Sequence, residues 1–191
     1  MHHQDEHELL TQIISGQTKN YAVLVKRYER LVFTLALRML KNREEAEEIS
    51  QDVFVKAFKS LATFKGNAKF SSWLYRITYN ACLDTLSRKR KQPSLGDIEK
   101  IADIKTPRTE TIIDSMEKAV QQQLLKDCIA RLNAEEAFLI TIYYYEEQSI
   151  SEIAQITDLT ESNVKIKLYR SRKKLAKLLN AHTAFNKKEL L

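Results

Sequence analysis

Glycine and proline are scarce in this chain, which has three glycines and two prolines among 191 residues. Hairpins and tight sheet turns depend on these residues, so little room is left for a β architecture. Apolar residues recur instead at helical spacing, for example at Leu24, Leu31, Leu35 and Met39. These features predict an all-α fold.

Four predicted helix starts carry the same signature, an Asp, Asn or Ser followed three residues later by Glu. The pairs are Asp5–Glu8, Asn42–Glu45, Asn133–Glu136 and Ser149–Glu152. Together with the apolar spacing, they predict four helices before residue 91 and a second group of helices after residue 115.

Both prolines, Pro93 and Pro107, fall in a stretch with scattered charges and no sustained apolar stripe. Such a composition is typical of a tether between domains. We therefore predict two small helical domains, 5–91 and 115–181, joined by a flexible linker at 92–114.

The stretch from Ser149 to Leu175 reads SISEIAQITDLTESNVKIKLYRSRKKL. It combines a short helix, a turn, and a longer helix that begins after the N-cap residue Thr160. This is the pattern of a helix-turn-helix, whose second helix enters the major groove of DNA. Such turns favour glycine with a positive φ, and here the position is held by Asp158, which tolerates the left-handed region.

Helical spacing places one side of that second helix in the core, at Val164, Leu168, Ser171 and Leu175. The opposite side carries side chains that pair with base edges and phosphates, namely Ser162, Asn163, Lys165, Ile166, Tyr169 and Arg170, followed by Arg172, Lys173, Lys174 and Lys177. Seven cations lie between Lys165 and Lys177 without an acid, so intrahelical ion pairs have no partner there. The pattern favours DNA binding, with a solvated helix face as the alternative.

Aromatic and basic residues alternate between Phe64 and Lys91. Rings that stack on bases, beside cations that neutralise phosphates, suit single-stranded nucleic acid. Trp73 shares a helical side with Phe70 and Ile77, which favours a core position for its ring, with stacking as the alternative. Phe64, in the predicted loop, is the better candidate for stacking.

The predicted helix after Asn42 has a dense acidic surface, formed by Glu44, Glu45, Glu47, Glu48 and Asp52. These carboxylates would repel DNA phosphates, and on a chain of net charge +6 they indicate a protein partner. A favourable interaction with the helix dipole is the alternative for Glu44 and Glu45.

Other classes of protein find less support. The sequence has no clustered His, Cys and carboxylate set and no Gly-rich phosphate loop, so we predict neither an enzyme nor a metal or cofactor site. Cys82 and Cys128 are predicted to be buried apolar residues, and His2, His3 and His7 to be solvated. Because no signal-peptide pattern and no long apolar stretch occurs, we expect a cytoplasmic protein with no membrane insertion.

Two segments of the chain resemble a known family. YAVLVKRYERLVFTLALRMLKNREEAEEISQDVFVKAF, followed by FSSWLYRITYNACLDTLSRKR, resembles region 2 of the extracytoplasmic-function (ECF, group IV) sigma factors of the sigma-70 family. LNAEEAFLITIYYYEEQSISEIAQITDLTESNVKIKLYRSRKKLAKLL resembles their region 4. The two segments occur in the family's order, on either side of the predicted linker.

The resemblance implies an alternative sigma factor, which binds bacterial core RNA polymerase and directs it to specific promoters. Region 2 would melt and read the minus-ten element, and region 4 would read the minus-thirty-five element. The implied partners are the β′ clamp helices and β flap of the polymerase, promoter DNA in double-stranded and melted form, and an anti-sigma factor. The protein is expected to be a monomer when free.

The resemblance and the residue chemistry together assign three sets of site residues. Polymerase binding is expected at Glu48, Gln51, Asp52 and Phe54. Contacts with the minus-ten element are expected at Phe64, Lys65, Asn67, Lys69, Arg76, Asn80, Arg88 and Lys89. Contacts with the minus-thirty-five element are expected at Thr160, Ser162, Asn163, Lys165, Ile166, Arg170, Arg172 and Lys173.

Two other functions stay open on the residues alone. A stand-alone helix-turn-helix regulator would explain Ser149 to Leu175 equally well, but it leaves the aromatic and basic run before Lys91 unexplained. A protein-binding adaptor would explain the acidic helix, but it is not compatible with two cationic surfaces.

Overall fold

The structure, a computed structural model, describes the backbone of residues 2–64, 66, 68–91 and 114–189, with side chains over 6–64, 66, 68–91 and 121–181. Every regular element in these ranges is helical, which confirms the predicted all-α fold. The chain divides into two compact units, Met1–Asp97 and Ile98–Leu191. Most of the predicted linker, together with Lys65, Asn67 and the side chains of His2 and His3, lies outside the described residues.

The first unit contains four α-helices within its described residues: α1 His2–Ile14, α2 Tyr21–Leu40, α3 Arg43–Ser60 and α4 Phe70–Lys91. Helices α2, α3 and α4 pack against one another and enclose the core. Its large, fully buried side chains are those of Leu24, Leu35, Met39, Phe70 and Leu74. The recurring apolar spacing of the sequence therefore corresponds to the buried faces of these helices.

Helix α1 is joined to α2 by polar contacts. The carboxylate of Glu6 is buried, where it accepts a hydrogen bond from the Tyr28 hydroxyl and lies 3.4 Å from Arg27 Nη1. Burial and the neighbouring Glu6 carboxylate raise the pKa of Tyr28 well above its usual range. Near the turn, the Asn20 side-chain amide donates to Gln12 Oε1 at 2.8 Å.

The turn between α2 and α3 follows the sequence signature. Lys41 has a left-handed backbone (φ 58°) and ends α2, while the side chain of Asn42 accepts a hydrogen bond from the backbone N–H of Glu45 at 2.9 Å. The bond satisfies a donor that would otherwise lack a partner in the first turn of α3. The predicted helix start at Asn42 is thus confirmed.

The second unit contains α5 Asp114–Ala130, α6 Ala134–Tyr144, α7 Ile150–Thr157 and α8 Glu161–Glu189. Helices α5, α6 and α7 all pack against α8. Asn133 with Glu136 starts α6 and Ser149 with Glu152 starts α7, each pair exchanging both reciprocal hydrogen bonds. Both predicted capping boxes are therefore confirmed.

The cysteines occupy core positions, one in each unit. Cys82 and Cys128 are buried free thiols. Burial raises the pKa of Cys82 to about 12, and it also raises the pKa of Cys128. Both residues act as small apolar side chains, as predicted.

Candidate nucleic-acid interface

The turn between α7 and α8 has the geometry of a helix-turn-helix. Asp158 ends α7 in the left-handed conformation (φ 58°, ψ 33°), and the N–H of Leu159 donates to the carbonyl of Ala154 at 3.1 Å. The hydroxyl of Thr160 then accepts a hydrogen bond from Asn163 N–H at 3.3 Å, which caps α8. The predicted roles of Asp158 in the turn and of Thr160 as N-cap are confirmed.

One face of α8 is fixed in the core of the second unit. Val164, Leu168 and Ser171 are buried, and Ser171 satisfies its hydroxyl by donating to the carbonyl of Lys167 at 2.8 Å. The residues predicted to face outward are exposed: Ser162, Asn163, Lys165, Ile166, Tyr169, Arg170, Arg172 and Lys173. The packing therefore presents amide, hydroxyl, cationic and apolar groups on one helix surface, a combination suited to base edges and phosphates.

The cations of α8 fall into two groups, those paired with acids of another helix and those that are not. Lys167 Nζ lies 2.7 Å from Glu135 and Lys174 Nζ lies 2.8 Å from Glu136, so these two lysines find their partners on α6 rather than within α8. Arg172 lies 3.5 Å from the Tyr144 hydroxyl. In the described part of the chain no ion pair neutralises the remaining cations, Lys165, Arg170, Lys173 and Lys177.

An aromatic cluster supports the loop between α3 and α4 in the first unit. The ring centroid of Phe64 lies 5.7 Å from that of Phe70 and 5.4 Å from that of Trp73, and the Phe70 ring also contacts Tyr28 at 5.6 Å. Phe70 is buried, whereas Phe64 and Trp73 are half-buried. Both half-buried rings therefore pack against the domain and still offer surface at the loop.

Polar residues of α4 extend from that loop toward its basic C-terminus. Arg76, Asn80 and Arg88 are exposed, as is Lys69 just before the helix. Lys89 forms an ion pair with Glu45 of α3, so this cation is partly neutralised within the domain. Local sequence patterns do not indicate that pairing, because the two residues are far apart in the chain.

Helix α3 presents an acidic ridge, defined by the exposed residues Glu44, Glu48, Gln51, Asp52 and Val55. Two of the five predicted acids are paired elsewhere, since Glu45 contacts Lys89 and Glu47 lies 2.9 Å from Arg43. The other three form no ion pair among the described residues. The ridge therefore has negative charge available for a cationic partner.

Phe54, which was expected among the polymerase-binding residues, lies in the core and not on this surface. It is only 9% exposed, and its backbone carbonyl accepts a hydrogen bond from the Tyr21 hydroxyl at 2.7 Å. Val55, one position later, is 51% exposed, because each residue rotates the helix by about 100°. Phe58 is 41% exposed, and its ring packs at a tilt against that of Tyr21, with 4.9 Å between the ring centroids. The exposed apolar residues beside the ridge acids are therefore Val55 and Phe58.

Two other kinds of site have no counterpart in the described residues. No group of three or more His, Cys, Asp or Glu side chains is placed there to share a metal ion. Within the same part of the chain, no helix combines the length and apolar composition that a membrane crossing requires.

Two family models match the chain in regions that contain these surfaces. Residues 24–92 match the model described as Sigma-70 region 2, and residues 122–175 match the model described as Sigma-70, region 4. The first match includes the acidic ridge, the aromatic cluster and α4. The second includes the helix-turn-helix and the paired acids of α6.

Relatives that match over nearly the whole chain are described as ECF RNA polymerase sigma factors. The ECF RNA polymerase sigma factor SigW of Bacillus subtilis is 31% identical over 182 residues, which cover 89% of this chain and 94% of SigW. The ECF RNA polymerase sigma factor SigM of Mycobacterium tuberculosis is 32% identical over 180 residues, which cover 93% of this chain and 86% of SigM.

Solved structures share the fold. The sigma factor RpoE in a co-crystal with the anti-sigma factor NepR from Bartonella quintana has a TM-score of 0.68 and 19% identity, with 85% of this chain and 98% of that chain covered. CnrH, solved in complex with the cytosolic domain of CnrY, has a TM-score of 0.60 and 24% identity, with 91% and 96% covered.

Proposed function

This chain belongs to the ECF group of the sigma-70 family, and we propose on that basis that it binds bacterial core RNA polymerase and directs it to specific promoters. The observation that carries the proposal is the order of three surfaces along the chain. An acidic ridge comes first, an aromatic and basic loop region second, and a helix-turn-helix third. A stand-alone regulator would use the third surface only.

The second unit would read the minus-thirty-five element with α8. Asn163 is suited to adenine, and Lys165 and Arg170 to guanine or phosphate, while Ile166 suits a thymine methyl group. The hydrogen bond at Thr160 caps α8, and from the N-terminal turns of that helix these residues would reach the groove. Ser162, Arg172 and Lys173 would hold the phosphate backbone on either side, and the β flap is the expected polymerase contact of this unit.

The first unit would melt and read the minus-ten element. Opening a base step costs a few kcal/mol of stacking and pairing, which capture of a flipped base can offset. Phe64 and Trp73 each keep part of a ring exposed at the loop, where Lys65, Asn67 and Lys69 would contact the melted strand. The contact with the melted strand would continue along α4 at Arg76, Asn80, Arg88 and Lys89.

The acidic ridge of α3 would dock on the β′ clamp helices of the polymerase. Glu48, Gln51 and Asp52 supply acceptors on one side of the helix, and Val55 supplies an exposed apolar residue on the same side. Charged hydrogen bonds at the edge of an apolar contact are typical of a specific protein interface. Phe54 would act from within the core, by supporting the backbone of the ridge.

An anti-sigma factor is the proposed regulator. RpoE of Bartonella quintana is described as bound to the anti-sigma factor NepR. A protein that covers the cationic surfaces of both units would block promoter contact while leaving the chain folded. The free protein would be a cytoplasmic monomer that needs no metal or cofactor, with catalysis left to the polymerase.

Binding to core polymerase tests the docking assignment. The double variant Gln51→Ala with Asp52→Ala should lose at least about tenfold in affinity, because a hydrogen bond to a charged group contributes about 1.5–3 kcal/mol. The matched control is Gln123→Ala with Asp127→Ala, which removes the same residue types from the exposed surface of α5. Equal affinity for the two double variants, measured by titration of labelled protein with core polymerase, would remove the ridge from the interface.

A salt titration tests the α8 assignment. Replacing Lys165 and Arg170 with alanine should weaken binding of the polymerase complex to upstream-element DNA. The slope of log affinity against log salt should fall by about 0.9 for each phosphate that the variant no longer neutralises. An unaltered slope and an unaltered footprint would reject the role of these two residues.

A further inference from the structure

One side of α8 is neutralised by α6. Lys167 is paired with Glu135 at 2.7 Å and Lys174 with Glu136 at 2.8 Å. Positions 167 and 174 are two helical turns apart, so the two lysines lie on the same side of α8. Both acids stand in the first turn of α6. An acidic edge of α6 therefore runs beside the helix that carries the DNA-suited residues.

The acids are held in place by more than the lysines. Glu136 also accepts a hydrogen bond from the backbone N–H of Asn133 at 2.9 Å, as part of the capping box of α6. Negative charge is further stabilised at a helix N-terminus. The side chains of Glu135 and Glu136 are 33% and 22% exposed, so salt screens their ion pairs less than fully solvated ones.

The two lysines are otherwise suited to DNA phosphates. They flank the exposed residues Arg170 and Lys173, and a lysine side chain is long and flexible enough to reach a backbone beside a groove-bound helix. Phosphate contacts of this kind add affinity for any sequence and carry no base information. Free lysines at these positions would hold the protein on non-promoter DNA.

We propose that Glu135 and Glu136 withhold Lys167 and Lys174 from the DNA backbone and so limit the non-specific DNA affinity of the second unit. The inference rests on the proposed function, since it takes α8 as the DNA-reading helix. It makes the two acids of α6 specificity determinants, although neither would touch DNA.

The test compares the wild-type chain with the Glu135→Gln, Glu136→Gln double variant on duplex DNA of scrambled sequence, by fluorescence anisotropy across a salt titration. Glutamine keeps a side-chain oxygen for the Asn133 N–H, so the capping box is retained. Two freed cations should steepen the salt slope by up to about 1.8, which is about 0.9 for each additional phosphate neutralised. Between roughly 50 and 200 mM salt, the ratio of variant to wild-type affinity would then change by about 12-fold.

A slope that is unchanged or shallower would overturn the proposal. Such a slope would also result if the substitutions weakened DNA binding only by loosening the packing of α8 against α6. Circular dichroism of each variant checks that the helices are intact.

A double-mutant cycle on the Lys167–Glu135 pair tests whether Glu135 withholds Lys167 from DNA or only affects folding. Lys167→Gln should leave the slope of the wild type unchanged, and in the Glu135→Gln background it should cancel the gain in slope. If Lys167→Gln alone lowers the wild-type slope by about one, Lys167 already contacts DNA and the proposal is wrong.

A charge-matched control addresses net charge. Glu29→Gln with Glu147→Gln removes two exposed acids that form no ion pair within the described part of the chain. This variant should keep the wild-type slope, and an equal steepening would attribute the effect to net charge and overturn the proposal.

Transcription distinguishes failure of this inference from failure of the proposed function. If the wild type directs core polymerase to promoters but the acid variants leave the salt slope unchanged, only the withholding role is wrong. If the wild type neither binds DNA nor directs the polymerase, the proposed function and the inference fall together.

Discussion

Replacing Asp158 with glycine should stabilise the second unit. Asp158 lies in the left-handed region, which costs an L-residue roughly 1–2 kcal/mol because Cβ crowds the following carbonyl. The described residues show no hydrogen bond of its side chain that would offset this cost. Glycine removes the crowding but gives the unfolded chain more freedom, a loss of roughly 0.4–1 kcal/mol.

The net gain is about 1 kcal/mol, which corresponds to roughly 4–8 °C in Tm for a domain of this size. Far-ultraviolet circular dichroism follows both units during heating. The sole tryptophan, Trp73, belongs to the first unit, so its fluorescence should report a transition that the substitution leaves unchanged.

Two controls isolate the backbone effect. Asp158→Ala removes the same charge but keeps Cβ, so it should not reproduce the gain. Gln155→Gly lies inside α7 and should destabilise the unit by about 0.5–1 kcal/mol, since glycine is unfavourable in a helix. If Asp158→Gly lowers Tm, or if Asp158→Ala raises it equally, the steric cost assigned to the left-handed turn is refuted.

Three further predictions concern local contacts. Thr160→Ala should cost the second unit about 1 kcal/mol in urea unfolding, because it removes the N-cap bond of α8, while Thr160→Ser should retain most of that stability. Arg88→Gln should impair promoter opening more than Lys89→Gln, measured by permanganate reactivity of the melted strand, because Lys89 is already paired with Glu45; equal defects would count against this. Cys82 and Cys128 should resist thiol-labelling reagents until the chain unfolds. Rapid labelling of the native chain would contradict their burial. The pKa of Cys82 is about 12 in the folded chain and 9.0 in the unfolded chain, so the neutral thiol contributes its full stability below pH 9.0. That contribution should decline as the pH rises from 9.0 toward about 12.

Most parts of the fold that depend on neighbouring residues were predictable from the sequence. The exception is the helix start predicted at Asp5, which is wrong because α1 already begins at His2. Helix caps need a residue and its neighbour three positions on, which is why Asn133 and Ser149 were identified correctly. The left-handed turn at Asp158 followed equally from local chemistry. Most of the buried face of α8 was also predictable, because the spacing of apolar residues along a helix shows which side faces the core. The exception is Leu175, near the end of that face, which is half-buried.

The misjudged features depend on contacts between distant residues or on helix phase. The spacing correctly excludes ion pairs of Lys167 and Lys174 within α8, but it does not reveal their partners, which are 32 and 38 residues away on another helix. On α3, the rotation between neighbouring positions buries Phe54 and exposes Val55, which was not singled out from the sequence. Packing decides both outcomes, and a single sequence does not specify which distant side chains meet.

Run-off transcription from genomic fragments, with purified bacterial core polymerase in the presence and absence of this protein, tests the proposed sigma-factor function most directly. We expect discrete new transcription starts that depend on the protein, each preceded by a shared two-part element, and their disappearance in the Gln51→Ala, Asp52→Ala variant. Binding of the protein to duplex DNA with no new start sites would contradict that function and identify a stand-alone helix-turn-helix regulator instead.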